Sequence, residues 1–411
     1  MRKNIILLCA ACACIAFGSC RENEYGTVDL TMDDGQKADV QIPTQFKHPG
    51  VLNDEADFER MREIVTNHEE PYYAGYEKLA ADKRSKADYQ MNGPYTVLYT
   101  GSWDGHPDIQ SYMCDDLSAA YQNAVMYAAT GDKAHADKAV AILAAYAGAV
   151  TGTASDPNAT DGRPLFIANY GAKIIYATEL LRYEYPEGMT DERFNAVCTM
   201  LKNHFIPVLD KFFATDPYTN GNWGAGVCKA YMAAGILFDD VEMYKKAVDF
   251  FLYGNDNGTI LKYIDGDTGQ CQESGRDQQH VQLGLGCLAG TCELAYKQGT
   301  DLYGVFDNRL LKGYEYTAKY NLGNDDVPFK KWEDVTGKYC NWTEISQETK
   351  RENGGVDTRR GQFRPIYEVV YNHYVGRKHL SMPYTEKVIG QNSPEGWNGD
   401  HFGFGTFLFT R

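Results

Sequence analysis

Apolar residues three and four positions apart recur along most of this chain, and that period restricts its fold more than any other feature. It predicts helices over 58–65, 72–82 (after Pro71), 117–129, 134–149, 166–183, 191–213, 223–238, 243–253, 277–298, 302–320 and 366–375. The segment "TGDKA" makes a tight turn between two of them. Strand signals are few; the tail "HFGFGTFLFTR" alternates in part and is expected to add minor β structure at the C-terminus. No composition break divides residues 48–411, so one all-α domain is expected. About 360 residues is large for a single compact core. An α/α toroid, a barrel of helix hairpins, avoids that limit and leaves a cleft among the inner helix ends. The polar stretch 325–363 interrupts the pattern, and "KRENGGVDTRRGQ" within it is expected to be a mobile loop over a site.

Residues 1–20 read as an export signal, with Arg2 and Lys3 before an apolar run too short to span a bilayer. Small residues before Cys20 resemble a lipoprotein signal. The expectation is an exported lipoprotein, lipid-anchored at Cys20 to the outer membrane, at the cell surface or on the periplasmic side. Residues 21–47 would be a flexible tether. The formal net charge is −16, which excludes non-specific nucleic-acid binding and requires a local basic patch for any polyanion. Of eleven cysteines, four lie in the signal. The other seven show no zinc spacing and read mostly as small buried hydrophobes. "DGDTG" and "DPNATDG" lack a full calcium ligand spacing and read as loops. No phosphate, dinucleotide or HExxH motif is present; neither metal nor cofactor is expected, and the chain is expected to be a monomer.

Four stretches carry candidate chemistry. In "ESGRDQQH", Ser274 can cap a helix with Asp277 three residues on, placing Arg276 and His280 four apart on one face. Gly284 and Cys287 continue that face, while Val281, Leu285 and Leu288 form the buried one. Arg276 would disfavour protonation of His280, leaving the neutral imidazole a general base needs; Gln279 stands beside it. The same pair can equally serve a buried polar network. In "TNGNWG", Asn220, Asn222 and Trp223 open a helix whose free N–H groups suit a ligand oxygen. In "RRGQFRPIYEVVYNHYVGRK", Arg359, Arg360, Arg364, Arg377 and Lys378 supply the basic patch, with Tyr367, Tyr371, Asn372 and Tyr374 on the helix. In "TGSWDGHPDIQSY", Trp103, His106 and Tyr112 suit sugar stacking, and thirty tyrosines fit a carbohydrate cleft.

Together, "NGNWG", "ESGRDQQH" and "YEVVYNHY" resemble the alginate-lyase-like polysaccharide lyases, most specifically the lipoprotein type of gut Bacteroidetes, polysaccharide lyase family 38. The resemblance runs from "HPGVLND" to "FGFGTFLF". It implies an incomplete α/α toroid that cleaves 1,4-linked uronate polymers, alginate or glucuronan, by β-elimination. His280 would be the base, with Asn222 and Arg276 offsetting the carboxylate charge and a tyrosine protonating the leaving oxygen. Classical lyases of this shape carry that tyrosine on the helix that begins with the arginine. Here no tyrosine follows on it until Tyr296, so Tyr170, Tyr371 or Tyr374 would serve, with Tyr374 or Tyr170 preferred. Trp103, His106, Asn220, Trp223, Gln279, Arg364, Tyr371 and Asn372 would line the substrate path. Two alternatives stay open. One is a uronic-acid glycoside hydrolase on the same toroid, which needs two carboxylates from Asp115, Asp116, Glu273 and Asp277. The other is a surface glycan-binding lipoprotein without catalysis.

Overall fold

The computed structural model describes residues 25–31, 37–103, 105–339 and 341–409. The export signal, Cys20 and Cys340 lie outside the described residues. The helices are α1 (Glu55–Asn67), α2 (Tyr72–Ala81), α3 (Gln110–Thr130), α4 (Lys133–Ala149), α5 (Arg163–Phe166), α6 (Ala172–Glu184), α7 (Asp191–Met200), α8 (Ile206–Ala214) and α9 (Gly221–Leu237). They continue with α10 (Val241–Tyr253), α11 (Ile260–Tyr263), α12 (Gln278–Lys297), α13 (Val305–Asn321), α14 (Gln347–Glu352), α15 (Tyr367–Tyr371), α16 (Pro383–Asn392) and α17 (Gly405–Leu408).

The architecture is the expected α/α toroid. Helices α3, α6, α9, α12 and α15 neighbour one another in that order, and α4, α7, α10, α13 and α16 stand outside them. Sequence separates the two rings. Helix α9, "GNWGAGVCKAYMAAGIL", is buried along nearly its whole length, because small side chains let a helix be packed on every side. Outer α10 alternates buried Tyr244, Ala247, Val248 and Phe251 with polar residues, the single stripe of a helix with one wet face. Val281, Leu285 and Leu288 of α12 are fully buried, each worth about 1.5–3 kcal/mol of transfer free energy.

Three expectations are corrected. Within the stretch read as a tether, β1 (Tyr25–Thr31) pairs antiparallel with β2 (Lys37–Pro43). Ala38, Val40 and Ile42 are buried, and β2 packs on α10 and α13; the period of two in "ADVQI" was a strand signal. Among its described residues the C-terminal tail forms no strand: Gly403 and Phe404 take left-handed φ of 67° and 52°, and the chain turns into α17, burying Phe402, Phe404 and Phe407. A parallel pair, β3 (Val97–Thr100) with β4 (Gly152–Ser155), supplies β structure at a place the sequence did not indicate.

Candidate active site

The starts of α9 and α12 meet the loops 271–277, 341–348, 359–364 and 398–401. Helix α12 begins one step later than expected. Asp277 is its N-cap, accepting from the N–H groups of Gln279 and His280 at 2.8 and 2.9 Å, while Ser274 Oγ accepts from the Cys271 N–H in the preceding turn. Arg276 therefore stands outside the helix and shares no face with His280. Nor do Gly284 and Cys287 face a cleft: a Cβ on Gly284 would overlap the Tyr263 ring, and Cys287 is fully buried. The first turn alone is open.

His280 is oriented by the same residue that caps its helix. Its Nδ1 lies 2.6 Å from Asp277 Oδ2. A carboxylate only accepts, so Nδ1 carries the proton and the lone pair of the neutral ring is on Nε2. Nε2 has no hydrogen-bond partner among the described residues, and the side chain is 30 % exposed. Burial tends to raise the Asp277 carboxyl, but the His280 ring, the His280 N–H and the Arg276 charge outweigh it and hold it well below the usual carboxylate range. A carboxylate behind an imidazole fixes its tautomer and its orientation.

Glu273 organises the neighbouring groups. It is fully buried and accepts from Asn222 Nδ2 at 2.9 and 2.8 Å, from the Asn222 N–H at 3.1 Å and from Arg276 Nη1 at 2.9 Å. The Asn222 amide nitrogen, expected to donate to a ligand, is thus committed to Glu273, and its buried Oδ1 has no partner. Arg276 also faces Glu348, at 3.7 Å from Nε. Burial opposes its charge, but Glu273, Asp277 and Glu348 more than offset that. Asn220 caps α9 and meets Gln272 Nε2 at 3.5 Å. Trp223 is half-buried against Tyr218.

From the α12 start, a polar chain leads along the cleft. Gln279 Oε1 accepts from Arg364 Nε at 3.3 Å, and Arg364 Nη1 reaches Asp400 at 2.6 Å. Asn169 Nδ2 lies 3.4 Å from the other Asp400 oxygen. Tyr170 follows, accepting from Gln110 Nε2 at 3.2 Å. A cavity of about 140 Å³ is lined by Gln110, Asn169, Tyr170 and Asp400, with Thr100 and Phe166. Asn169 and Tyr170 lie in a π-helical turn, Ile167–Gly171, within a segment expected to be regular helix; such turns re-aim side chains. Burial and the Asp400 charge push the Tyr170 phenol well above its ordinary range, against the Gln110 hydrogen bond, so it keeps its proton. Trp103 and His106, ring centroids 4.7 Å apart, extend from β3 beside Tyr99.

Other expected residues are elsewhere. Tyr374 is fully buried and donates to the Tyr303 carbonyl at 2.8 Å; it is a core residue, which removes it as the acid. Tyr371 interacts with Glu386 of α16, and Asn372 opens a second π-helical turn, Asn372–Arg377, on the same segment; neither joins the groups above. The basic patch is dispersed: Arg360 pairs with Asp325, Arg377 with Glu293 and Lys378 with Asp301. Arg364 and Arg359 remain, the latter 4.0 Å from Asp277. Asp116 does not face the cleft freely. Both its oxygens are taken, by Tyr89, Tyr146, Asn92 and the Gly93 N–H. Asp115 is held by Lys83 and Arg84.

Sequence reasoning missed Asp400, which no motif signals, and Tyr339. The latter lies in the long polar excursion; burial and the Asp334, Glu273 and Glu348 charges raise its phenol against the pull of Arg276. It reached Glu273 and Asp277 as carboxylates but not as the orienters of Asn222, Arg276 and His280. The expected mobile loop is tied at its end to α12, where Gln279 Nε2 and Gln282 Nε2 donate to the Gln362 carbonyl at 2.7 and 3.0 Å; just before it, the Ser346 and Gln347 N–H groups donate to the carbonyls of Ser274 and Gly275 at 2.8 and 2.7 Å.

The family model described as alginate lyase matches residues 68–327. No curated protein sequence matches. Among solved structures, an alginate lyase from Bacteroides ovatus is similar at 12 % identity and TM-score 0.59, over 88 % of this chain and 99 % of that one. Alginate lyase A1-III from Sphingomonas species A1 is similar at 13 % identity and TM-score 0.60, over 89 % and 99 %. A variant of alginate lyase A1-III complexed with tetrasaccharide is similar at 14 % identity and TM-score 0.57, over 89 % and 99 %.

Proposed function

This chain belongs to the alginate lyase family and is a polysaccharide lyase, and from that premise we propose that it cleaves 1,4-linked uronate polymers, alginate or glucuronan, with His280 as the base. One observation carries the reading: a partly exposed imidazole, oriented through Nδ1 by a carboxylate, with an Nε2 that has no hydrogen-bond partner among the described residues.

The C5 proton of a uronate is acidic only when the adjacent carboxylate's charge is offset. Arg276 and Arg359 stand at the mouth beside His280 and supply that charge. Glu273 fixes the Arg276 guanidinium by one edge. Asn222 helps hold Glu273 in place and does not itself donate to the sugar. His280 Nε2 takes the C5 proton, the C5–H electrons form the C4=C5 double bond, and the C4–O4 bond breaks. Tyr170, kept neutral by burial and by Asp400, gives its proton to O4. Arg364, Gln279, Trp103, His106 and Trp223 hold the flanking sugars. The hydrolase alternative is disfavoured because Asp116 and Glu273 have no free carboxylate oxygen to act as acid or base.

The test is ultraviolet absorbance of the purified chain with polymannuronate, polyguluronate and glucuronan. An absorbance rise from the conjugated double bond supports the reading and ranks the polymers. New reducing ends without absorbance would mean hydrolysis, and saturable binding with neither would mean a glycan-binding protein. We further propose export as a lipoprotein anchored through Cys20. A Cys20→Ser chain should leave the membrane fraction, and its persistence there would refute the anchor.

A further inference from the structure

Beyond Tyr170, on the side away from His280, lies a tryptophan that no step above uses. Trp397 is 37 % exposed, yet it is held on two sides. Its indole N–H donates to Ser118 Oγ at 3.1 Å, and the Arg84 guanidinium carbon lies 3.6 Å from the ring centroid. Arg84 is itself nearly buried and fixed, with Nη1 3.2 Å from Asp115 and Nη2 3.2 Å from Asp82. One face of the indole is therefore covered and its polar edge satisfied. The rest of the ring remains open to solvent.

The ring is also in line with the cleft. Gly399 stands between it and Tyr170: a Cβ there would lie 3.5 Å from Tyr170 Cε1 and 3.8 Å from Trp397 Cζ2. The nearest atom to such a Cβ is the buried Cys114 Sγ, at 3.1 Å, so this position borders both rings. The rim carries lysines, one of them paired with Asp115 at 2.6 Å. Lys83 is 67 % exposed, and Lys78, donating to the Pro394 carbonyl at 2.5 Å, runs beside Gly396. A guanidinium behind an indole also draws electron density from the far face, which then better tolerates an anionic ring.

We propose that Trp397 is a distal subsite that stacks a uronate residue of the polymer, positioned by Arg84 and Ser118 and flanked by Lys83. This rests on the uronan-lyase reading above. It makes affinity depend on chain length: a long polymer reaches from His280 past Tyr170 to Trp397, and a trisaccharide held across the cleavage point does not.

The test compares the full chain with Trp397→Ala on whichever of polymannuronate, polyguluronate and glucuronan it cleaves fastest, supplied as polymer and as trisaccharide. The expected result is a KM for the polymer raised about fivefold to tenfold, with kcat unchanged, no change for the trisaccharide, and recovery in Trp397→Tyr. An unchanged polymer KM, or an equal rise for both lengths, overturns the subsite. Should alanine prevent folding, Trp397→Leu makes the same comparison, since it keeps apolar bulk without the π face. Calorimetric titration with each polymer separates the two readings. If no polymer yields absorbing product but wild type binds one more tightly than Trp397→Ala, the subsite stands and the lyase reading fails. Equal binding overturns the subsite.

Discussion

The two ends of α12 carry nearly the same residues and do opposite things. At its start are Arg276, His280, Asp277, Glu273 and Tyr263. At its end, Glu293 pairs with Arg377 at 2.8 and 3.0 Å and accepts from Tyr303 at 3.0 Å. His373 stacks on Tyr303 at a centroid distance of 3.8 Å. An arginine, a histidine, a buried glutamate and a tyrosine recur, but His373 is fully buried, and burial and the Arg377 charge push its pKa down to about 4. It stays neutral and, with its Nε2 buried and unpartnered, has nothing to react with. His280 has the same ring, an orienting carboxylate and an open nitrogen. Residue types do not separate a site from a strut; solvent access to one unpaired atom does.

The comparison breaks most sharply on the histidines. His280→Ala should lower turnover about 10³-fold, as expected for loss of a general base, with thermal stability close to wild type. If turnover is unchanged, His280 has no part in the mechanism. Glu293→Gln at the other end should show the reverse. Removing one partner of a buried ion pair costs about 3–5 kcal/mol, so the chain should unfold at much lower denaturant while the folded fraction keeps its kcat. A loss of kcat with intact stability would move the site. Arg276→Ala should weaken both kcat and KM, by about tenfold each if it offsets substrate charge; an effect confined to thermal stability would make it a partner of the Glu273 network alone. Tyr374→Phe should cost about 1 kcal/mol of stability, one hydrogen bond, and leave turnover intact, whereas Tyr170→Phe should lower turnover.

The ends also differ in pH response. A histidine with a depressed folded pKa leaves stability intact above its unfolded value near 6.5, where both states are neutral. As pH falls from there toward about 4, only the unfolded chain gains the proton, so stability is lost across that window. A melting-temperature profile from pH 7 to 4 should therefore slope downward, and His373→Leu should make it shallower, the buried His401, also pushed down by burial and the Arg364 charge, keeping part of the slope. Asp277, held below the usual carboxylate range, acts at lower pH: its contribution is full above the unfolded carboxylate pKa and is lost only as pH falls through the folded one.

Much of the site was legible because two of its parts are local. "ESGRDQQH" and "NGNWG" bring His280, Arg276 and Asn222 to adjoining helix starts, and the capping propensity of Asp277 near a histidine is a short-range fact. What was misplaced depended on rotation and partners. The shift of the cap from Ser274 to Asp277, three residues, moved Arg276 off the face assigned to it. The tyrosines of "YEVVYNHY" have helical spacing that fits either core or cleft, and packing against Tyr303 chose core for Tyr374.

The sequence by itself determined the helical rings, because a 3.6-residue apolar period and small-residue inner helices leave few other ways to bury a chain of this size. It also determined the residues that begin α12. Only the tertiary structure decided which charged groups are satisfied. Asp400 is some 120 positions from His280 in sequence yet joins it through Arg364 and Gln279, and Glu293 meets Arg377 across 84 positions. Burial and pairing between distant segments set whether a polar group is spent or available, and no local pattern carries that information.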